Sequence, residues 1–299
     1  MKFRVATFLS FALLIAQVGI TQQHTYFSLT DTTFTVGSVY TTCNIHYDLN
    51  GHSTIREESH PCLDSLSDFV MRHPELIFEI CSYTDQRGSD SSNLKLSQAR
   101  ASIVKNYLVE HGVSENRLAA VGYGELYPIV EEEEINSHTD KAKREELYQQ
   151  NRRTEFRILH IYPSVFSLAD TIFSVGSILR CRVLFDLNKP TIRPESFPIL
   201  DSLAAFLLEH SNLSIEIRGH TDTRVSDKYS TCLSCNRAKA IVEYLKSKGV
   251  AAERMRAIGF QGKAPLITNN YILKRTSKEA QEELHRLNRR IEIKILEVK

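Results

Sequence analysis

The chain has 299 residues, with 37 Lys plus Arg against 36 Asp plus Glu and a formal net charge of +1 at pH 7. Near-neutrality argues against nucleic acid, which rewards a strongly basic surface, and against a polybasic membrane-surface protein. It suits a neutral or zwitterionic partner, and the length is that of two domains rather than one.

Lys2 and Arg4 precede an apolar run from Val5 to Ile20, and Thr21, Gln22 and Gln23 follow it. A cationic start, an apolar core and a small polar flank read as a secretory signal peptide over residues 1–22 rather than a membrane anchor. Later segments are too polar to cross a bilayer. Six cysteines (Cys43, Cys62, Cys81, Cys181, Cys232 and Cys235) become candidates for disulfides in an oxidising compartment. Their connectivity is not readable from sequence.

Beyond the leader the chain repeats. Asp31-Thr-Thr-Phe-Thr-Val-Gly-Ser38 returns as Asp170-Thr-Ile-Phe-Ser-Val-Gly-Ser177. Tyr83-Thr-Asp85 returns as His220-Thr-Asp222, Arg100-Ala101 as Arg237-Ala238, and Asn151-Arg152-Arg153 as Asn288-Arg289-Arg290, always 137 residues later. Two copies of this size are not a solenoid; each can bury its own core. The expected division is 1–22, 23–161 and 162–299.

Within each copy the predicted elements alternate. Residues 43–48 and 183–186 read as a first strand ending in an aromatic and an Asp. Leu63, Leu66, Phe69 and Val70, and Leu200, Leu203, Phe206 and Leu207, recur at helical spacing. Strands with alternating apolar and polar residues follow at 76–82 and 213–218. A longer amphipathic helix runs to Gly112 or Gly249, each a fitting C-cap residue. Short strands at 117–122 and 254–259, charged helical stretches at 131–149 and 273–287, and final strands at 154–161 and 291–298 complete each copy. This is an α/β (α+β sandwich) class, in which helices pack on a mixed sheet.

Motifs spaced along this pattern resemble the OmpA-like, peptidoglycan-associated domains. Ile217-Arg-Gly-His-Thr-Asp222 matches that family's GHTD strand end. Asn93-Leu-Lys-Leu-Ser-Gln-Ala-Arg-Ala101 matches its helix start, and Asn151-Arg-Arg-Thr-Glu-Phe156 and Asn288-Arg-Arg-Ile-Glu-Ile293 its closing signature. The resemblance covers nearly the whole chain beyond the leader, as two tandem βαβαβ domains. It implies non-catalytic binding of the peptidoglycan stem peptide through diaminopimelate, and assigns the contacts to Asp85 with Arg100 and to Asp222 with Arg237. It adds the aromatic-Asp pairs Tyr47-Asp48 and Phe185-Asp186, together with Asn93, Arg152 and Arg289. It further implies a periplasmic, outer-membrane-associated place in the envelope, with other envelope proteins as possible partners and no cofactor.

The chemistry is coherent without the name. The end of a diaminopimelate side chain is a zwitterion, and a carboxylate facing its ammonium with a guanidinium facing its carboxylate would satisfy both charges. The bland alternative is that Asp and Arg pair with each other to hold strand to helix. The copies also diverge: the first has Ser82-Tyr83 where Gly-His is usual. The second has Val225 where the family has Gly, and Ser230 where it has Asn, so its loop is expected to be rebuilt and the first copy to bind better.

Other constellations read blandly. Cys232-Leu-Ser-Cys235 lacks the further ligands a metal site needs, leaving incidental thiols or a local disulfide. The run Glu131–Glu134 reads as a solvated loop, and Glu79 and Glu216 as sheet-face residues. No hydrolase motif appears in both copies, so an enzyme is not expected. The competing class is an envelope interaction module in which one or both domains have ceased to bind the wall.

Overall fold

The computed structural model describes residues 25–41, 45–47, 54–224, 227–275 and 277–299, and of 227–232 only the backbone. The expected leader, Cys43, Asp48 and Val225, and the side chains of Ser230 and Cys232, lie outside the described residues. Among the described residues no helix is long and apolar enough to cross a membrane.

Two four-stranded mixed sheets organise the chain. The first unit runs β1 (Val39–Tyr40), α1 (His60–Arg72), β2 (Leu76–Ser82), α2 (Asp90–Glu110), β3 (Leu118–Gly122), α3 (Glu132–Ser137), α4 (Lys141–Asn151) and β4 (Thr154–Ile161). The second repeats it as β5 (Ile178–Cys181), α5 (Phe197–Glu209), β6 (Leu213–His220), α6 (Asp227–Ser247), β7 (Met255–Gln261), α7 (Asn269–Leu273), α8 (Lys278–Asn288) and β8 (Ile291–Val298). Strand orders are β1-β4-β2-β3 and β5-β8-β6-β7. β2 and β3 are parallel, as are β6 and β7, and the other pairings are antiparallel.

The leucine stripe of α1 and the inner face of α2 bury Leu63, Leu66, Phe69, Val104 and Leu108 against Phe78, Ile80, Phe156 and Ile158 of the sheet. α5 and α6 do the same with Leu200, Leu203, Leu207, Ile241 and Leu245. The stop expected after α2 is present: Gly112 follows the C-cap His111 with φ +94, a conformation that costs glycine little.

Three expectations need correction. Among the described residues the first strands are β1 and β5, ahead of the expected 43–48 and 183–186; Tyr47 and Phe185 form only isolated bridges, with Ile55 and Ile192. At 186–191 the chain folds back tightly, Asp186 N–H on Thr191 O and Lys189 N–H on Asp186 O, which leaves no length for a strand. The charged stretch at 131–149 is two helices, α3 and α4, while that at 273–287 starts on the last residue of α7 and is otherwise α8. Asp140 caps α4 by accepting from the Ala142 N–H, and Ser277 caps α8 by accepting from the Ala280 N–H. The run Glu131–Glu134 is accordingly the cap and first turn of α3, with all four residues exposed.

The third correction concerns β2, which alternates in sequence as a half-buried strand yet is buried on both faces. Its outer face meets the second unit. Ile77, Cys81, Val121 and Leu159 form one apolar cluster with Leu266, Ile267, Ile272, Leu284 and Leu287. Glu79, at 0% exposure, sits inside this contact. It accepts hydrogen bonds from Tyr123 (2.9 Å), Tyr271 (2.5 Å), Arg157 (3.1 Å) and Arg275 (3.2 Å). Burial alone would raise its pKa; the two guanidiniums and two hydroxyls outweigh it and hold the carboxyl below the usual range.

α8 also closes the open edge of the first sheet. Glu283 accepts from the Ala120 N–H (3.4 Å) and from Lys105 (2.8 Å), while Arg286 donates to the carbonyls of Leu118 (2.6 Å) and Glu115 (3.3 Å). From the first unit's own α2, Gln98 reaches the Ala120 carbonyl (3.0 Å) and the Gly122 N–H (2.9 Å). An edge strand covered in this way offers no free ladder to another chain.

Candidate functional site

At the C-terminal ends of β2 and β6 each unit opens a cleft, about 430 Å³ in the first and 530 Å³ in the second. The parallel crossover from β2 to β3 passes through α2, so residues just past β2, early on α2 and just before β4 converge there. The first cleft is lined by Tyr47, Asp85, Asn93, Arg100 and Arg152, the second by Phe185, Asp186, Asp222, Arg237 and Arg289. The structure thus gathers the sequence-derived residues it describes.

It does not join Asp85 to Arg100. Asp85 Oδ1 accepts from the Arg87 N–H (3.0 Å) and Nε (3.2 Å), and Oδ2 accepts from Arg87 Nη2 (2.7 Å) and Arg152 Nη1 (2.6 Å). Both guanidiniums continue to Glu145, Arg87 at 2.9 Å and Arg152 at 2.7 Å. The second unit repeats this ring of charges: Asp222 takes Arg224 (2.7 Å) and Arg289 (2.8 Å), and both reach Glu282. The alternative of a mutual Asp–Arg strand-to-helix pair is overturned, because these arginines saturate the carboxylate first. Burial raises the Asp222 pKa, but hydrogen bonds from Arg224 and Arg289 outweigh it and bring the group down to about 2. Asp85 is lowered for the same reasons, against its burial, by Arg87 and Arg152.

Arg87, Arg224, Glu145 and Glu282 escaped the sequence reading. Their signal was in the repeat itself: each arginine stands two residues after its Asp and each glutamate seven before its Arg, at the same offset of 137.

The ring carries two positive and two negative charges, so the excess comes from the next arginine. Arg100 lies over the Tyr47 ring (4.8 Å to the centroid), whose hydroxyl is fixed by Thr154 (3.3 Å). Its Nε is buried without a hydrogen-bond partner, and burial lowers its pKa. Asn93 does not point a free amide at the cleft; it donates to the Asp85 carbonyl (3.3 Å) and to Glu125 (2.5 Å), fixing the loop that carries Asp85. Arg237 stacks similarly over Phe185 (4.9 Å), but donates to the backbone carbonyls of Lys189 (3.1 Å) and Asp186 (3.4 Å). Asp186 itself turns toward Arg193 (3.9 Å).

Near the second cleft Cys235 is a free thiol; Cys81 and Cys181 are free and buried, whereas Cys62 is disulfide-bonded.

Known proteins carry the same units. The chain is 40% identical over 79 residues to outer membrane porin F of Pseudomonas fluorescens, matching 26% of this chain and 24% of that protein. It is 35% identical over 123 residues to outer membrane protein A of Escherichia coli, matching 40% of this chain and 35% of that one. It therefore spans about a third or less of these curated relatives. Among solved structures, the peptidoglycan-associated lipoprotein from Burkholderia pseudomallei is similar at 26% identity, over 38% of this chain and 87% of that one, with a TM-score of 0.32. The OmpA family matches residues 49–146 and again 184–279, most of the chain in two segments, the first holding β2, β3, Asp85 and Arg87 and the second β6, β7, Asp222 and Arg224. The chain belongs to the OmpA family, with two OmpA-like domains in tandem.

Proposed function

We propose that this is a non-catalytic, exported envelope protein that binds peptidoglycan, with the first cleft as its principal site and the zwitterionic end of diaminopimelate as the recognised group. The proposed plan is a signal peptide (1–22) followed by domains at 23–161 and 162–299. The association of relatives with the outer membrane and with peptidoglycan supports this reading, and the chemistry of the cleft narrows it. The observation that carries it is Arg100: a guanidinium half out of water, stacked and aimed, with no hydrogen-bond partner among the described residues.

A carboxylate entering the cleft would take that guanidinium through charge-assisted bonds, the stronger class. The adjacent ammonium would go to Asp85. Arg87, half-exposed and already bonded to Glu145, is the partner that gives way, and Arg152 keeps the carboxylate in place. No net charge is moved out of water unpaired, which is what makes capture of a zwitterion affordable in a partly buried site.

The test is co-sedimentation with purified diaminopimelate-type sacculi of the wild type and of Arg100→Ala, with free diaminopimelate as competitor. Binding that the competitor displaces and that Arg100→Ala removes is the expected result. Absence of wild-type binding, or binding indifferent to Arg100, would leave the fold serving protein docking alone.

A further inference from the structure

The two sheets are treated unequally. β3 is buried throughout and its outer edge is capped by Gln98, Glu283 and Arg286, whereas β7, its counterpart, is partly exposed along its whole length. Gln98 is replaced by Cys235. Among the described residues nothing bonds the corresponding edge groups, the Ala257 N–H and C=O, the Met255 C=O and the Gly259 N–H. The outer face beside this edge carries Arg218, Arg256, Ile258, Phe260 and Lys294. Two acids share the face: Glu216 is held by Arg218 (2.6 Å) with Arg256 at 3.9 Å, and the buried Glu292 is held by Arg290 (2.7 Å) and Tyr162 (2.8 Å).

The first domain holds an unused copy of the element that covers β3. Residues 125–150 correspond to 262–287, yet Ile129 is 59% exposed where Leu266 is 9% exposed, and Leu126 and Tyr127 are exposed beside it. Glu146 and Gln149 occupy the places of Glu283 and Arg286, retaining an acceptor and a donor one turn apart. The exposed acids of 131–134 occupy the place of Thr268 to Tyr271, the stretch that sets Tyr271 against Glu79 and Arg157. On the second sheet the position of Arg157 is Lys294, so the acidic turn would meet a basic face.

We propose that the second domain's β7 edge and outer face receive residues 125–150 of a second copy of this chain, in the arrangement by which α7 and α8 cover the first domain. The charge complementarity of the two surfaces selects a second copy over an unrelated partner. Such a contact is heterologous: each copy offers one donor and one acceptor face, and the association continues head to tail into a row or closes into a ring. Lys143 and Gln150 stand where α8 has Ala280 and Leu287. The contact is therefore more polar than the intrachain one and weakens with salt.

Sedimentation velocity on the purified protein, from micromolar to near-millimolar and at low and high salt, tests this. The mean mass rises with concentration at low salt and falls back to the monomer at high salt. Arg256→Glu, which spoils the acceptor face, and Ile129→Glu, which spoils the donor face, are each monomeric; both sites are exposed, and far-ultraviolet circular dichroism verifies that the variants fold. An equimolar mixture of the two retains one good contact and reaches twice the monomer mass without going further. A wild type that stays monomeric, association that survives either variant, or a mixture that stays monomeric overturns the proposal.

Discussion

The two clefts share a ring of Asp, two Arg and Glu, placed by the same elements at the same spacing, and differ in what the next arginine does. Arg100 stacks on a tyrosine and donates no hydrogen bond among the described residues, while Arg237 stacks on a phenylalanine and is taken up by two backbone carbonyls of the loop beside it. A guanidinium that has to break hydrogen bonds before it can make new ones recovers only the difference. Duplication has kept the scaffold of the site twice and its readiness once. The lesson is that readiness resides in a loop of few residues rather than in the motif.

The largest expected effect comes from removing that readiness. Arg100→Ala should weaken binding to sacculi by roughly 10- to 100-fold, the range for a charged hydrogen-bonding group, and Arg237→Ala by no more than a few-fold. Isotherms for the two variants decide it; equal losses would erase the distinction between the clefts. Next in size is the ring, which should behave alike in both domains. Arg87→Ala and Arg224→Ala each leave Asp and Glu with one guanidinium instead of two. Because these arginines are about half-exposed, each should cost only about 1 kcal/mol of stability after solvent screening. A clearly larger loss at Arg224, read by denaturant unfolding, would show that the second ring carries weight the first does not.

The smallest effect is that of pH, and it sharpens the comparison by leaving both clefts alone. Asp222 has a folded-state pKa of about 2 against an ordinary value of 3.8, so the stability it contributes is complete above about pH 4 and is lost as pH falls toward 2. Asp85 shifts in the same direction. Binding should be flat from pH 8 to pH 5 and weaken only in the acid range, as measured by co-sedimentation across buffers. A transition near neutrality would point to a histidine instead.

Much of this molecule was legible in the sequence. The helical stripes of α1 and α5 are simple periodic patterns, and the constant offset exposed Asp85, Arg152 and their counterparts as recurring sites. What escaped has a common physical cause. The alternation of β2 says one face is wet; it is dry because Tyr271, 192 residues away from Glu79, and its neighbours lie over it. Local pattern carries no trace of a partner so distant. Arg87 and Arg224 recur with the repeat but stand outside the residues to which the family resemblance assigns ligand contacts. The resting state of Arg237 depends on the fold-back at 186–191, where Asn188 adopts φ +56, a backbone choice that composition does not dictate.

The pairing of Glu283 with Ala120 spans 163 positions of sequence. During synthesis the first sheet is therefore finished by a helix that emerges only after almost the whole second domain has been made. Until then its β3 edge, and the carboxylate of Glu79 behind it, lack the cover they have in the native state. A contact of such long sequence separation cannot form before α8 has been made, and a chain whose strand edge is still uncovered is of the kind that sticks to others. The domains should accordingly melt as a single cooperative unit, and a chain stopped before α8 would be a folding failure in its first half as much as in its second.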